Sequence, residues 1–563
     1  MPAPLKLPPR LRSVPLRFVG CRPGRLLAVL LGVLLSLPQS GRAQSSLSKV
    51  WVPDLGNGTY KNPVLYADYS DPDAIRVGQD FYLVSSSFNA VPGLQILHSR
   101  DLVNWSIIGA VFRQQPPLAR YQLPQHGNGV WAPAIRYHNK EFYIYYPDPD
   151  LGIFVTKAKN PAGPWSAPVC VKEAKGWIDP CPLWDADGRA YLVHGFAGSR
   201  AGIKTILAVS PMSADGLSLT GEDALVFDGH AHHPTLEGPK FYQRHGYYYI
   251  FAPAGGVPTG WQLVLRSRHV YGPYEERIVM DQGKTPINGP HQGAWVDTDR
   301  GEDWFLHFQD QGPYGRVVHL QPMQWKDDWP VIGEDPDGDG KGQPVLTYRK
   351  PAVKAPAQPL ATPPTSDEFS ATQLGLQWQW HANPQDYWAY LNGPQGYLRL
   401  YSVLLPEDYK NLWQVPNLLL QKLPAEAFTA TTKLTFAPRV EGEKVGLVMM
   451  GLDYAYLALS YRNGQLQLSQ SVCRQADKLS PETTTAPVPG PAPGQPVYLR
   501  VAVRPGAKCQ FSYSLDGQQF QFLGAEFQAV EGKWIGAKVG LFSTRPTKFN
   551  DSGNTDVDWF RIE

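Results

Sequence analysis

Asp185-Ala-Asp-Gly-Arg-Ala-Tyr-Leu-Val193 joins a polar turn to an aromatic, β-rich strand, and the pattern recurs four more times. The other copies are Arg76-Val-Gly-Gln-Asp-Phe-Tyr-Leu-Val84, Arg136-Tyr-His-Asn-Lys-Glu-Phe-Tyr-Ile144, Tyr242-Gln-Arg-His-Gly-Tyr-Tyr-Tyr-Ile250 and Asp297-Thr-Asp-Arg-Gly-Glu-Asp-Trp-Phe-Leu306. Their aligned aromatics are Tyr82, Tyr143, Tyr191, Tyr248 and Phe305. Several units close on a second turn, such as Asp101-Leu-Val-Asn-Trp105, Pro161-Ala-Gly-Pro-Trp165 and Tyr271-Gly-Pro-Tyr274. Units of roughly 50 residues with several short strands have the size of four-stranded propeller blades. One blade cannot bury both faces of its sheet, but a closed ring of blades can. Five units therefore predict a five-bladed β-propeller over residues 50–348.

Outward from the repeat, the chain changes character twice. Pro351, Pro356, Pro359, Pro363 and Pro364 predict a stiff, extended linker over residues 349–365. Residues 366–563 then alternate apolar and polar positions in stretches such as Val445–Met450, Tyr454–Tyr461 and Val497–Val503, which predicts a β-sandwich. The helical period is weak throughout, so the fold class is all-β. A composition with 53 Gly, 54 Pro, 43% hydrophobic and 18% charged residues fits many short strands and excludes disorder and long helical bundles.

The net charge of +2 conceals an uneven distribution. Residues 1–43 carry Lys6, Arg10, Arg12, Arg17, Arg22, Arg25 and Arg42 and no acid. An apolar run, Leu26–Leu37, and small residues up to Ala43 complete the pattern of a secretory signal peptide cut after Ala43. That predicts a secreted or periplasmic protein. Without this leader, 45 basic residues face 50 acidic ones, so nothing marks a nucleic-acid partner. No later stretch is long and apolar enough for a membrane span. Cys170, Cys181, Cys473 and Cys509 leave disulfides open and lack the CxxC spacing of zinc sites.

Acids gather where each unit begins. Asp71 lies in Tyr69-Ser-Asp-Pro-Asp73, Asp179 in Trp177-Ile-Asp-Pro180 and Glu237 in Thr235-Leu-Glu-Gly-Pro239. Innermost strands would aim all three at one funnel. Three carboxylates so confined cannot all ionise freely, so at least one has a raised pKa. A neutral acid beside an ionised carboxylate is what glycosidic cleavage requires. Asp68 and Asp73 remain rival bases on composition alone.

Asn62-Pro-Val-Leu65, Asp71-Pro72, Ser85-Ser-Ser-Phe88, Pro92-Gly-Leu-Gln-Ile96, Ser99-Arg-Asp-Leu-Val-Asn-Trp105, Trp131-Ala-Pro133, Ile178-Asp-Pro180 and Glu237-Gly-Pro239 together resemble glycoside hydrolase family 43. The tail resembles the concanavalin-A-like domain of its β-xylosidase branch. The resemblance implies an inverting exo-acting enzyme that releases terminal pentose as a β-1,4-xylosidase, an α-L-arabinofuranosidase or both. Its substrate would be a xylose- or arabinose-containing oligo- or polysaccharide. Asp71 would be the general base, Glu237 the general acid, and Asp179 the residue that orients Glu237 and raises its pKa. Arg316 and His291 would bind substrate, with Trp131, Phe88 and Trp184 as sugar platforms and Trp534 shaping the pocket from the sandwich.

No cofactor is called for, although the resemblance places a structural calcium near His291. Asp335-Pro-Asp-Gly-Asp-Gly340 resembles the start of a calcium loop, and Glu368 and Asp558 are candidate cation ligands in the sandwich. The competing reading is a non-catalytic carbohydrate-binding propeller. An invertase-type fructosidase would require Trp-x-Asn-Asp-Pro, and a sialidase would require repeated Ser-x-Asp-x-Gly-x-x-Trp boxes; neither motif is present.

Overall fold

The computed structural model describes residues 47–563 except Pro493. The signal peptide read over residues 1–43 lies outside the described residues. Five four-stranded antiparallel sheets form the blades, over residues 73–112, 134–173, 177–228, 240–280 and 291–332. Within each blade the strands pair in sequence order, and the first strands of neighbouring blades meet around the central axis.

The repeating aromatic has a single physical job. Tyr82, Tyr143, Tyr191, Tyr248 and Phe305 all sit on the second strand of their blade and reach an adjacent blade. Tyr82 meets Phe142 edge-on at 5.1 Å, and Tyr143 packs on Trp184 at 5.1 Å. Tyr191 meets Tyr271 at 5.9 Å, Phe305 stacks on Phe251 at 6.0 Å, and the Tyr248 hydroxyl donates to Asp185. Such ring pairs add to the burial of their own area. The period seen in the sequence is therefore the period of the second strand, which sends one ring toward a neighbouring blade from each sheet.

The ring closes through the segment preceding the first blade. Thr59–Lys61 pairs with Thr347–Arg349, and Leu65 exchanges backbone hydrogen bonds with Val318 in the last blade. The Pro-rich stretch that follows is strapped to the propeller surface. Its Ala352, Lys354 and Ala361 amides donate to Glu302, Asp299 and Asn104. Proline removes some backbone donors there, and propeller side chains take up remaining ones.

The C-terminal region is a sandwich of a nine-stranded and an eight-stranded sheet. Pro496–Arg504 alternates strictly between buried and partly exposed positions, because only one of its faces meets the core. Lys444–Met450 is buried on nearly every residue. Its second face is covered by Leu412, Val415 and Leu418 from an overlying segment. Trp380 and Val91 form a bridge between sandwich and propeller, and Asn89 donates to the His381 carbonyl. The four cysteines of the described residues are free thiols. No helix among the described residues is long and apolar enough to cross a membrane.

Candidate active site

The inner strands all begin at one pole of the channel. Asp71, Trp131, Asp179 and Glu237, one from each of four blades, line a cavity of about 370 Å³ there. Asp71 and Asp179 have φ of +54° and +58°, a left-handed conformation that Asp tolerates better than most residues. Backbone held in this region by its surroundings is characteristic of functional sites. Glu237 is followed by Gly238 at φ +61°, where a Cβ would lie 2.3 Å from the Gln292 side chain. Only glycine allows the turn carrying Glu237 to approach so closely.

Each carboxylate has its own surroundings. Asp71 Oδ2 accepts from Ser86 Oγ at 2.6 Å, and Oδ1 accepts from Arg316 Nη1 at 3.0 Å. Asp179 Oδ2 accepts the Gly238 amide at 2.7 Å. Burial, and then the Asp71 charge, push Asp179 up to about 7 against those stabilising bonds. Burial, with the Asp179 and Asp71 charges behind it, pushes Glu237 up to about 8. The amide bond favours the charged form of Asp179, so Glu237 is the better holder of the shared proton. Glu237 also keeps 35% of its side chain open to the cavity.

The two rival bases are committed elsewhere. Asp68 accepts from the Arg316 and Gly536 amides and from Ser70 Oγ. Asp73 is fully buried and accepts from Arg136 and the Ile135 amide, tying the first blade to the second.

Phe88, Arg316 and Trp534 line the same cavity. Arg316 lies over the Phe308 ring at 4.9 Å, which fixes the guanidinium beside Asp71. Trp534 comes from the sandwich, on a loop anchored by Gly536 to Asp68 and by the Ala537 amide to the Pro313 carbonyl.

Three expectations need correcting. His291 does not line the cavity; it lies buried behind Glu237, with Nε2 3.5 Å from Oε1. Burial and the Arg316 charge lower it to about 3, so the imidazole is neutral and this is no ion pair. Trp184 lies at the opposite pole, because it ends the inner strand Trp177–Trp184, which carries Asp179 near its start. Glu368 and Asp558 form separate ion pairs with Arg561 and Lys433 instead of converging on a cation.

The residues around His291 also fail as a calcium cage. Calcium takes six to eight oxygens, whereas His291 offers ring nitrogens and no cluster of three acids gathers there among the described residues. Its orphaned nitrogens suit water better. Asp335, Asp337 and Asp339 do converge at the surface, where Asp339 pairs with Lys341.

Ser86, Gln292 and Lys204 escaped role assignment from sequence. Ser86 sits inside a quoted motif, and Gln292 adjoins His291. Lys204 closes the loop after the third blade's second strand and lines the cavity beside Glu237. No local signal separates these residues from ordinary polar ones.

Comparison with known proteins places this architecture. The profile of glycosyl hydrolases family 43 matches residues 60–330, and that of the β-xylosidase C-terminal concanavalin A-like domain matches residues 366–563. A provisionally named β-xylosidase of Xylanibacter ruminicola is 40% identical over 497 residues, 87% of each chain. The chain belongs to glycosyl hydrolases family 43. A non-reducing end α-L-arabinofuranosidase of Bacteroides ovatus is 29% identical, covering 90% of this chain and 95% of its own. The crystal structure of a family 43 protein from Bacillus licheniformis superposes with a TM-score of 0.76 at 28% identity, covering 90% of this chain and 99% of that one. The family 43 chain is thus a glycosidase, and the reading as a non-catalytic propeller lapses.

Proposed function

We propose that this family 43 enzyme removes terminal xylose or arabinofuranose from the non-reducing ends of hemicellulose oligosaccharides, with inversion. The observation that carries the reading is a cavity at the small end of the ligand-pocket range, about 370 Å³, holding all three carboxylates and walled by Trp534. A wall contributed by a second domain favours a chain end over an internal segment. Relatives named for β-xylosidase and for α-L-arabinofuranosidase activity support the sugar class.

Asp71 acts as general base, its two oxygens oriented by Ser86 and Arg316 so that a free lone pair receives the proton of the attacking water. Glu237 acts as general acid and delivers its proton to the glycosidic oxygen as that bond breaks. Asp179 orients the Glu237 turn through Gly238 and keeps the acid protonated by its charge. Water attacks from the face opposite the leaving group, which inverts the anomeric centre and needs the two carboxyl groups about 6.5–9.5 Å apart. The basic, apolar leader over residues 1–43 supports export to the periplasm or beyond, where such substrates occur.

Initial rates on aryl β-D-xyloside and aryl α-L-arabinofuranoside test the proposal, with product anomers followed by NMR. Release of an inverted pentose from either supports it. Failure on both, or retention of configuration, overturns it.

A further inference from the structure

The far end of the propeller channel is also open. The inner strands that begin at the carboxylates end around a second cavity of about 680 Å³. Along the strand from Asp179 to Trp184, five residues separate the two poles by roughly 16 Å. Between them the channel is filled by Arg136, which donates to Asp73 Oδ2 and to Cys181 Sγ and lies over the Tyr242 ring. The second cavity is therefore separate from the catalytic one.

Its lining has the chemistry of a neutral sugar site. Tyr137, Trp184, Tyr242 and Trp295 bring rings from four blades to one cavity. Tyr137 is 44% exposed, and its ring is backed by Phe142. Trp184 is held by its indole N–H on the Ala214 carbonyl and stacks on His138 at 4.4 Å. The exposed face of Tyr137 suits the C–H face of a pyranose or furanose ring, with the other rings as an apolar floor around it.

All but one of the charged groups here are matched by an opposite charge. Arg136 pairs with Asp73, Arg244 with Asp328, and Asp297 with Arg76, while Asp303 accepts the Trp295 indole N–H. An anionic ligand would find no free cation, since Arg136 and Arg244 are both paired, and Asp303, held only by a neutral donor, can accept from a sugar hydroxyl. The polar groups left without a hydrogen bond among the described residues are the Tyr137 hydroxyl and the His138 ring nitrogens, while the Tyr242 hydroxyl only accepts, from the Trp295 amide. These can exchange hydrogen bonds with sugar hydroxyls.

We propose that this second mouth of the channel binds a neutral, pentose-rich polysaccharide chain and holds the enzyme on its substrate while chain ends are cut at the opposite pole. The choice of pentose rests on the functional reading above; the neutrality and the stacking chemistry rest on the cavity alone.

Native affinity electrophoresis of the full chain in gels containing arabinoxylan, with mixed-linkage β-glucan as a hexose control, tests the proposal. Rates on the aryl pentosides are measured alongside. Tyr137→Ala should weaken retardation by arabinoxylan at least fivefold while kcat/KM on the aryl pentoside stays within twofold. Tyr137→Lys, which keeps an aliphatic stem over Phe142, should behave alike and guards against a folding defect. Asp71→Ala should remain retarded like the wild type. Equal retardation of wild type and both Tyr137 variants overturns the site, as does loss of retardation in Asp71→Ala. Tyr137-dependent retardation by β-glucan alone overturns the pentose assignment. Absence of pentoside cleavage beside Tyr137-dependent retardation by arabinoxylan overturns the catalytic reading and supports the site.

Discussion

The Asp179 carboxylate accepts the amide of Gly238, the residue immediately after Glu237, at 2.7 Å. One side chain thereby fixes the turn that carries the proposed acid and places a negative charge beside it. That charge stands second after burial among the causes that lift Glu237 to about 8. Asp179→Asn keeps an oxygen for the amide bond and removes the charge. The raised acid loses part of its lift, so the basic limb of kcat against pH should move to lower pH by on the order of one unit. A pH profile of the variant checks this, and an unmoved limb would contradict the electrostatic role.

Acid and base should separate by leaving group. Glu237→Gln cannot protonate a departing oxygen, and general acid–base catalysis contributes roughly 10²–10⁴-fold. Its kcat should fall by about that factor on a 4-nitrophenyl pentoside and much less on a 2,4-dinitrophenyl one, which departs without help. Asp71→Ala should lose about as much on both, because water activation is needed whatever leaves. Steady-state rates on the two substrates decide between the assignments. A swap of the two patterns would exchange the roles.

Most of the propeller was legible because its repeat is a packing repeat. Tyr82, Tyr143, Tyr191, Tyr248 and Phe305 recur since each reaches from its second strand to a neighbouring blade, although the seam between the fifth and first blades receives none of them. The convergence of the carboxylates was legible for a related reason, as each lies within three residues of the start of an inner strand. The choice of Asp71 over Asp68 was not. Asp68 accepts from the Gly536 amide, 468 positions away, and no local pattern encodes so distant a partner. Trp184 was misplaced because an aromatic on an inner strand reads alike at either end, and five residues carry it to the opposite pole. His291 was placed in the site by its motif, but whether a ring lines a cavity or stands behind it depends on the side chain in front, here Glu237.

Lys204 offers a test of opposite sign to Asp179. It lines the cavity, and its positive charge opposes the rise of Glu237. Among the described residues it has no carboxylate partner within 4 Å, and its stem lies along Gly198, where a Cβ would sit 3.5 Å from it. Lys204→Met should let the acid rise further, moving the basic limb to higher pH by a few tenths of a unit. The shift should shrink in high salt, since the lysine is exposed and its field is screened. Profiles at low and high ionic strength measure it, and a downward shift would contradict the assignment.

Where the sandwich meets the propeller, Lys422 and Lys538 stand opposite each other on paired strands. Lys422 donates to Gln95 and lies over the Tyr69 ring, and Lys538 reaches Gln379. Neither forms an ion pair among the described residues. Burial lowers Lys422 to about 7 and Lys538 to about 8 from the ordinary 10.5. Between pH 7 and 10.5 the unfolded chain therefore binds more protons at these positions than the folded one, so their contribution to stability rises with pH. Below pH 7 both states carry the charges, and the penalty of burying them is fully present. Lys538→Met removes one buried charge and keeps the stem's volume. Its Tm should exceed that of the wild type most at pH 6–7, and the advantage should fade toward pH 10 as the wild-type lysines become neutral in the folded state. Thermal melts of both proteins across that range test the sign, and an advantage that grows with pH would show that these lysines are not held neutral by burial.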